Sequence, residues 1–123
     1  NSMSFGNPTP KTTIYYYTSS RGENPVKDFI ESLSKQQKAK VFRIFMHIEE
    51  YGLLSVIPHI KKLTGTPLWE IRILGKDNIR IFYATMSKNG IIVLHGFIKK
   101  SFKTPSKEIE VALHRYKGIS IDK

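Results

Sequence analysis

The stretch Leu68-Trp69-Glu70-Ile71-Arg72-Ile73-Leu74-Gly75-Lys76-Asp77-Asn78-Ile79-Arg80-Ile81-Phe82-Tyr83 decides the fold. Its two halves are rich in β-branched and aromatic side chains, and Gly75-Lys76-Asp77 between them is a run of turn formers. Two such runs around a short glycine-containing loop read as an antiparallel hairpin. Side chains alternate across a strand, so Trp69, Ile71 and Ile73 share one face, as do Ile79, Ile81 and Tyr83. If both sets bury against helices, a loop over 75–77 pairs Leu74 with Asn78 and Ile73 with Ile79. Arg72 then falls opposite Arg80 on the other face. Like charges opposed across strands are destabilising, and a well-patterned sheet that keeps such a pair points to an anion site. Glu70 lies on that same face, so the other reading is an ion pair of Glu70 with one arginine, in a register that separates the two.

The rest of the chain builds outward from this hairpin. Ser87-Lys88-Asn89-Gly90 is a second turn, and Ile91 to Ile98 is the third strand of a meander. Upstream, Thr12 to Thr18 reads as a strand and Ser19 to Asn24 as a turn. Asn24 is a helix N-cap with Pro25 at the first helical position, and a short helix through Leu33 is expected. Ser34 and Gln37 form a capping box for the next helix, where Val41, Ile44, Phe45, Ile48 and Tyr51 make one buried stripe and Gly52 is the stop. Thr104-Pro105 opens a last helix with Ile109, Ala112, Leu113 and Tyr116 inward and Gly118 as its end. The predicted fold class is α+β, a small antiparallel sheet packed against an N-terminal helical hairpin and a C-terminal helix. Residues 1–10 read as a disordered lead-in, with Asn1 and Ser2 a remnant ahead of a natural start at Met3. Residues 11–118 read as a single domain and 119–123 as a tail.

Composition narrows the function classes. The chain has 123 residues, 40% of them hydrophobic, enough for one core and too few for two. Cysteine is absent, which excludes disulfides, thiolate zinc sites and a thiol nucleophile. His47, His59 and His114 are scattered without acidic companions at ligand spacing, so no metal or other cofactor is expected. Leu63-Thr64-Gly65-Thr66-Pro67 lacks the spacing and the lysine of a nucleotide-binding loop. Apolar runs are short, no signal region is present, and a soluble cytoplasmic protein without membrane partners is expected.

The formal net charge is +10, and it is placed rather than spread. Residues 60–107 carry ten Lys and Arg against only Glu70 and Asp77, whereas residues 1–59 carry seven basic and five acidic side chains. Such a field attracts nucleic acid through phosphate neutralisation and counterion release. The last strand runs into His95-Gly96-Phe97-Ile98-Lys99-Lys100-Ser101-Phe102-Lys103-Thr104-Pro105. Here a glycine permits close approach, aromatics offer stacking surfaces and lysines offer charge. Lys61, Lys62, Lys76, Lys100 and Lys103 are the candidate RNA-binding lysines.

Three blocks together resemble the core of the RelE/ParE toxin superfamily, and more narrowly its HigB-like, phage-derived branch. They are Leu68-Trp69-Glu70-Ile71-Arg72, Asn78-Ile79-Arg80-Ile81-Phe82-Tyr83, and Leu94-His95-Gly96-Phe97-Ile98-Lys99-Lys100 with Lys103-Thr104-Pro105. The resemblance runs from about Tyr15 to Tyr116. It implies the toxin of a type II toxin–antitoxin system, a ribosome-dependent mRNA endoribonuclease that inhibits translation. Its partners would be a cognate antitoxin, often of helix-turn-helix type, and the ribosome with its message. In that chemistry a ribose 2′-hydroxyl attacks the adjacent phosphate without a metal. The resemblance places Arg72 and Arg80 at the scissile phosphate and matches Lys99 and Lys100 to basic positions after the last strand. Bidentate guanidinium donors suit a phosphorane. His95, Lys99 and Tyr83 are candidates for the proton transfers, His95 first because histidine titrates near neutrality. The candidate catalytic set is thus Arg72, Arg80, His95 and Lys99. Tyr116 is the one counterpart for the tyrosine that some relatives use near the chain end, and it fits the buried stripe instead. Relatives of the ParE type share the fold but inhibit DNA gyrase and cut no RNA, so that activity, or simple docking by a basic accessory protein, stands as the alternative.

Overall fold

The computed structural model describes residues 11–73, 75–87 and 89–122; the expected lead-in over 1–10 lies outside them. The elements are β1 (Thr13–Tyr16), α1 (Pro25–Glu31), α2 (Lys35–Tyr51), a 3₁₀ segment (Leu53–His59), β2 (Ile60–Lys62), β3 (Trp69–Ile73), β4 (Ile79–Met86), β5 (Gly90–Ile98) and α3 (Ser106–Asp122). The expected α+β architecture of one sheet between an N-terminal helical pair and a C-terminal helix is present. The sheet has five strands in the order β1-β5-β4-β3-β2. The meander β3-β4-β5 is antiparallel as its turns predict, and β2 extends it antiparallel at one edge. β1 joins the other edge parallel to β5, which makes the sheet mixed.

Local chemistry explains the helix ends. Asn24 accepts from the Lys27 amide with Pro25 following. At α2 the Ser34 hydroxyl accepts from the Gln37 amide at 3.1 Å, while the Gln37 side chain accepts from the Ser34 amide at 2.9 Å. Gly52 ends α2 at φ 83, a conformation that glycine adopts without a Cβ clash. The expected stop at Gly118 is not used, and α3 continues through it to Asp122. Tyr51 leaves the predicted stripe and is 58% exposed, at the last residue of α2, one turn beyond the buried Ile48.

α1 and α2 cover one sheet face through Val26, Ile30, Val41, Phe45 and Ile48, packed on Ile71, Ile73, Ile79, Ile81 and Tyr83. α3 covers part of the other through Ala112, with Ile109, Leu113 and Tyr116 against Leu68, Phe82, Ala84, Ile92 and Leu94. The pairing of β4 with β5 is interrupted by an irregularity. Phe82 faces His95, yet Tyr83 faces Val93, so Leu94 is an extra residue in β5. A bulge of this kind resets the two-residue alternation. Ile91 and Val93 consequently belong to the α1/α2 core, while Ile92, Leu94 and Phe97 belong to the α3 core. By register His95 lies with Phe82, and Phe97 with Arg80, on the α3 face.

Gly96 sits on the α1/α2 face opposite Ile81. A Cβ there would come within 2.4 Å of Cδ2 of Phe29, so the space beside this glycine is taken by a ring of α1. Gly96→Ala should therefore overpack the α1–β5 contact and cost about 1–3 kcal/mol. Chemical denaturation would show this as a lower midpoint, and an unchanged midpoint would mean that Phe29 swings clear at no cost.

Candidate nucleic-acid interface

The register of the hairpin is the one that strand parity predicts: Arg72 faces Arg80, and Ile73 faces Ile79. The ion pair is present as well. Glu70 is 3% exposed, and its Oε2 lies 3.8 Å from Nε of Arg80. Opposed arginines and a Glu70–Arg80 pair therefore coexist on one face, the carboxylate offsetting part of a repulsion that would otherwise strain the strand pair. The two guanidinium groups diverge. Arg72 Nη2 donates to the Pro58 carbonyl at 3.3 Å, towards the 3₁₀ segment, and Arg80 Nη1 donates to its own neighbour's carbonyl at Ile79 at 3.2 Å. Nε of Arg72, Nε of Arg80 and Oε2 of Glu70 are buried without a hydrogen-bond partner. Buried donors left unpaired are costly, and an incoming anion would offer acceptors to this face.

Beside Arg80 opens a cavity of about 430 Å³ lined by Asn78, Arg80, Lys99, Lys100, Ser101 and Phe102. The Lys99 amide donates to the Asn78 carbonyl at 2.9 Å and so ties the end of β5 to the start of β4. Asn78 holds a left-handed φ of 54, which asparagine tolerates better than most residues and which brings the chain sharply out of the turn. Phe102 is 99% exposed at the rim, an aromatic face free to stack. Among the described residues no carboxylate lines this cavity, and its three cations give it a positive interior.

His95 is held deeper. Its Nε2 lies 2.6 Å from Oε1 of Glu108 in the first turns of α3, and Arg115 Nη1 approaches Nδ1 at 3.3 Å. Since arginine only donates, Nδ1 accepts and Nε2 carries the proton in the neutral ring. Phe97 stacks on the imidazole at 5.6 Å between centroids. Arg115 also donates to the Leu94 carbonyl at 2.7 Å, so the bulge, the histidine and α3 are bound in one cluster. Burial pushes the imidazole below its ordinary 6.5; Glu108 opposes that shift, and Arg115 reinforces it. A histidine that resists protonation when folded binds its proton first in the unfolded chain. This contribution is whole above pH 6.5 and is lost as pH falls below it towards the folded value. Wild type should lose more thermal stability between neutral and mildly acidic pH than His95→Gln, by at most about 1.4 kcal/mol per pH unit. Parallel melting curves for the two proteins at every pH would refute the assignment.

The remaining expected site residues are distributed as follows. Lys61 pairs by register with Glu70 and so lies on the α3 face at the β2 edge. Lys62 faces the other way, with its ammonium 5.4 Å from the Trp69 ring and donating to the Thr66 carbonyl. Lys76 and Lys103 are exposed, one in the 75–77 turn and the other before α3. Tyr83 is removed from the candidates for proton transfer: it is 1% exposed on the opposite sheet face, stacked on Trp69, and burial raises its phenol well above the usual range. Thus Arg80, Lys99 and Lys100 meet at one cavity, Arg72 lies across the strand from it, and His95 stands behind under α3. Sequence reasoning missed Asn78 as a lining residue and Glu108 and Arg115 as the partners of His95. The left-handed asparagine was legible as a turn signal, but the two α3 residues carried none.

Among the described residues no group of three His, Cys, Asp or Glu is placed to hold a metal ion. No helix among them is long and apolar enough to cross a membrane. No curated protein matches the chain. The family model described as Phage derived protein Gp49-like (DUF891) matches residues 28–117, which take in the end of α1, all of α2, the whole meander and most of α3, and the chain therefore belongs to that family of toxin–antitoxin toxins, relatives of RelE and ParE.

Proposed function

We propose that this toxin is a ribosome-dependent mRNA endoribonuclease of the HigB-like kind, and that it acts at the cavity beside Arg80. One observation carries the reading: Arg80, Lys99 and Lys100 converge on a carboxylate-free cavity with an exposed aromatic, Phe102, at its rim. A scissile phosphate held there meets Arg80 and Lys99, with Arg72 across the strand adding to the field. Phe102 stacks on a neighbouring base, and Lys61, Lys76, Lys100 and Lys103 track the backbone. The 2′-hydroxyl gives its proton to solvent water as its oxygen attacks the adjacent phosphorus, charge grows on the non-bridging oxygens, and the bond to the 5′ oxygen breaks to leave a 2′,3′-cyclic phosphate. Fixed cations stabilise that charge without reorganisation. The Lys99 ammonium gives a proton to the departing oxygen. His95, with both ring nitrogens engaged inside the fold, enters this proposal as a positioning residue that locks α3 to the sheet behind the cavity.

The test is induction in a host without the antitoxin, with 5′ ends of cellular messages mapped by primer extension. New in-frame cuts, lost when Arg80 is replaced, are the expected outcome. Growth arrest without cuts would move the chain to the gyrase-inhibiting relatives, and no arrest would leave a docking protein.

A further inference from the structure

A second cationic pocket lies on the other side of the sheet from the Arg80 cavity. It measures about 370 Å³ and is lined by Lys40, Arg43 and His47 of α2, by Ser55 and His59 of the 3₁₀ segment, and by apolar side chains that include Ile73. Lys40, Arg43 and His47 stand at i, i+3 and i+7, so α2 turns one face of basic side chains towards it. Like charges at this spacing weaken a helix by a few tenths of a kcal/mol per pair. Only one is offset, by Asp77 at 3.7 Å from Lys40. Arg43 has no ion-pair partner among the described residues. Among the described residues no carboxylate lines the pocket, and Ser55 turns its hydroxyl to main-chain carbonyls of His47 and Gly52, which stiffens the rim. An unbalanced basic helix face over a cavity is what an anion would stabilise.

The pocket is also joined to the first site. The His59 ring contacts the Arg72 carbonyl through Nδ1 at 3.2 Å, and the Arg72 guanidinium donates to the carbonyl of Pro58, the residue before it. The C-terminal end of the 3₁₀ segment, Pro58-His59, thus touches both the pocket and Arg72. We infer that the Lys40–Arg43–His47–His59 pocket binds a phosphate of the RNA backbone, a second contact that carries the nucleic acid round the β2–β3 edge to the face that holds Arg72 and Arg80. This rests on RNA being the ligand in the proposed function. It asks nothing of the cleavage step.

Equilibrium binding of a single-stranded RNA oligonucleotide across a salt series tests it without cutting. Each phosphate contact on single strands contributes about 0.7 to the slope of log affinity against log salt. Arg43→Ala should lower the slope by about 0.7 and Arg43→Lys should leave it in place. Lys35→Ala, which removes an exposed charge from the first turn of the same helix, should not change it. A wild-type slope in Arg43→Ala overturns the inference, and so does an equal loss in Lys35→Ala, which would mean net charge rather than a site. An unchanged RNA slope with weakened binding to polyglutamate also overturns it, in favour of an acidic protein partner. Thermal melts confirm that each variant folds. Cut mapping in cells is a separate readout, so a lowered slope without cuts would sink the nuclease reading and keep the pocket, and cuts with an unchanged slope would do the reverse.

Discussion

In an Arg80→Ala chain, the translation-dependent cutting proposed for this toxin should fall by about 10²- to 10³-fold, the cost of removing one preorganised donor from a developing oxyanion. The same change also weakens the fold. Arg80 is the cation 3.8 Å from Oε2 of Glu70, whose side chain is only 4% exposed, and without it a buried carboxylate is left uncompensated. Breaking such a pair from one side costs about 3 kcal/mol, or roughly 10 °C in melting midpoint for a domain of this size. A loss of toxicity in the single variant would then have two causes. The double variant Arg80→Ala/Glu70→Gln separates them. Removing the orphaned charge should recover most of the midpoint, while cutting stays lost. If the double variant regains cutting, Arg80 served the fold alone and the assignment of the cavity is wrong. If Arg80→Ala melts like wild type, the Glu70 pair contributes nothing and solvent reaches the carboxylate.

Lys99→Ala should separate chemistry from stability in a single step. Lys99 is partly exposed at the cavity, so truncation removes little packing and the midpoint should move by less than about 0.5 kcal/mol. Cutting on programmed ribosomes should nevertheless drop by about 10²-fold, because in the proposed reaction the lysine supplies both charge and a proton at the phosphate. His95→Gln is the informative companion. Glutamine keeps a donor for Glu108 but loses the stacked ring on Phe97, so a modest loss of cutting should accompany a loss of stability, with the pH–rate profile unchanged. A shifted profile in His95→Gln at wild-type stability would show that the imidazole itself carries the proton. Full activity in Lys99→Ala would remove the lysine from the reaction.

The parts of this protein legible in its sequence are those written as short-range patterns. Alternation along 69–73 and 79–83 set which side chains face the helices, and a loop over 75–77 was enough to bring Arg72 opposite Arg80. The capping box of Ser34 and Gln37 is local chemistry of the same kind. So is the basic bias of residues 60–107, since charge along a chain survives folding.

Tertiary structure decided what depends on meetings between distant segments. One extra residue at Leu94 inverts the alternation of β5, and no residue type in that stretch marks it. The bulge lies where α3 packs, and only that docking supplies Glu108 and Arg115 to the two nitrogens of His95. The parallel placement of β1, the burial of Tyr83 on the far face and the second basic pocket between α2 and the 3₁₀ segment arise in the same way. Periodicity states which face of an element is apolar. Which partner covers that face, and which charges meet at its edge, is settled by packing across the whole chain.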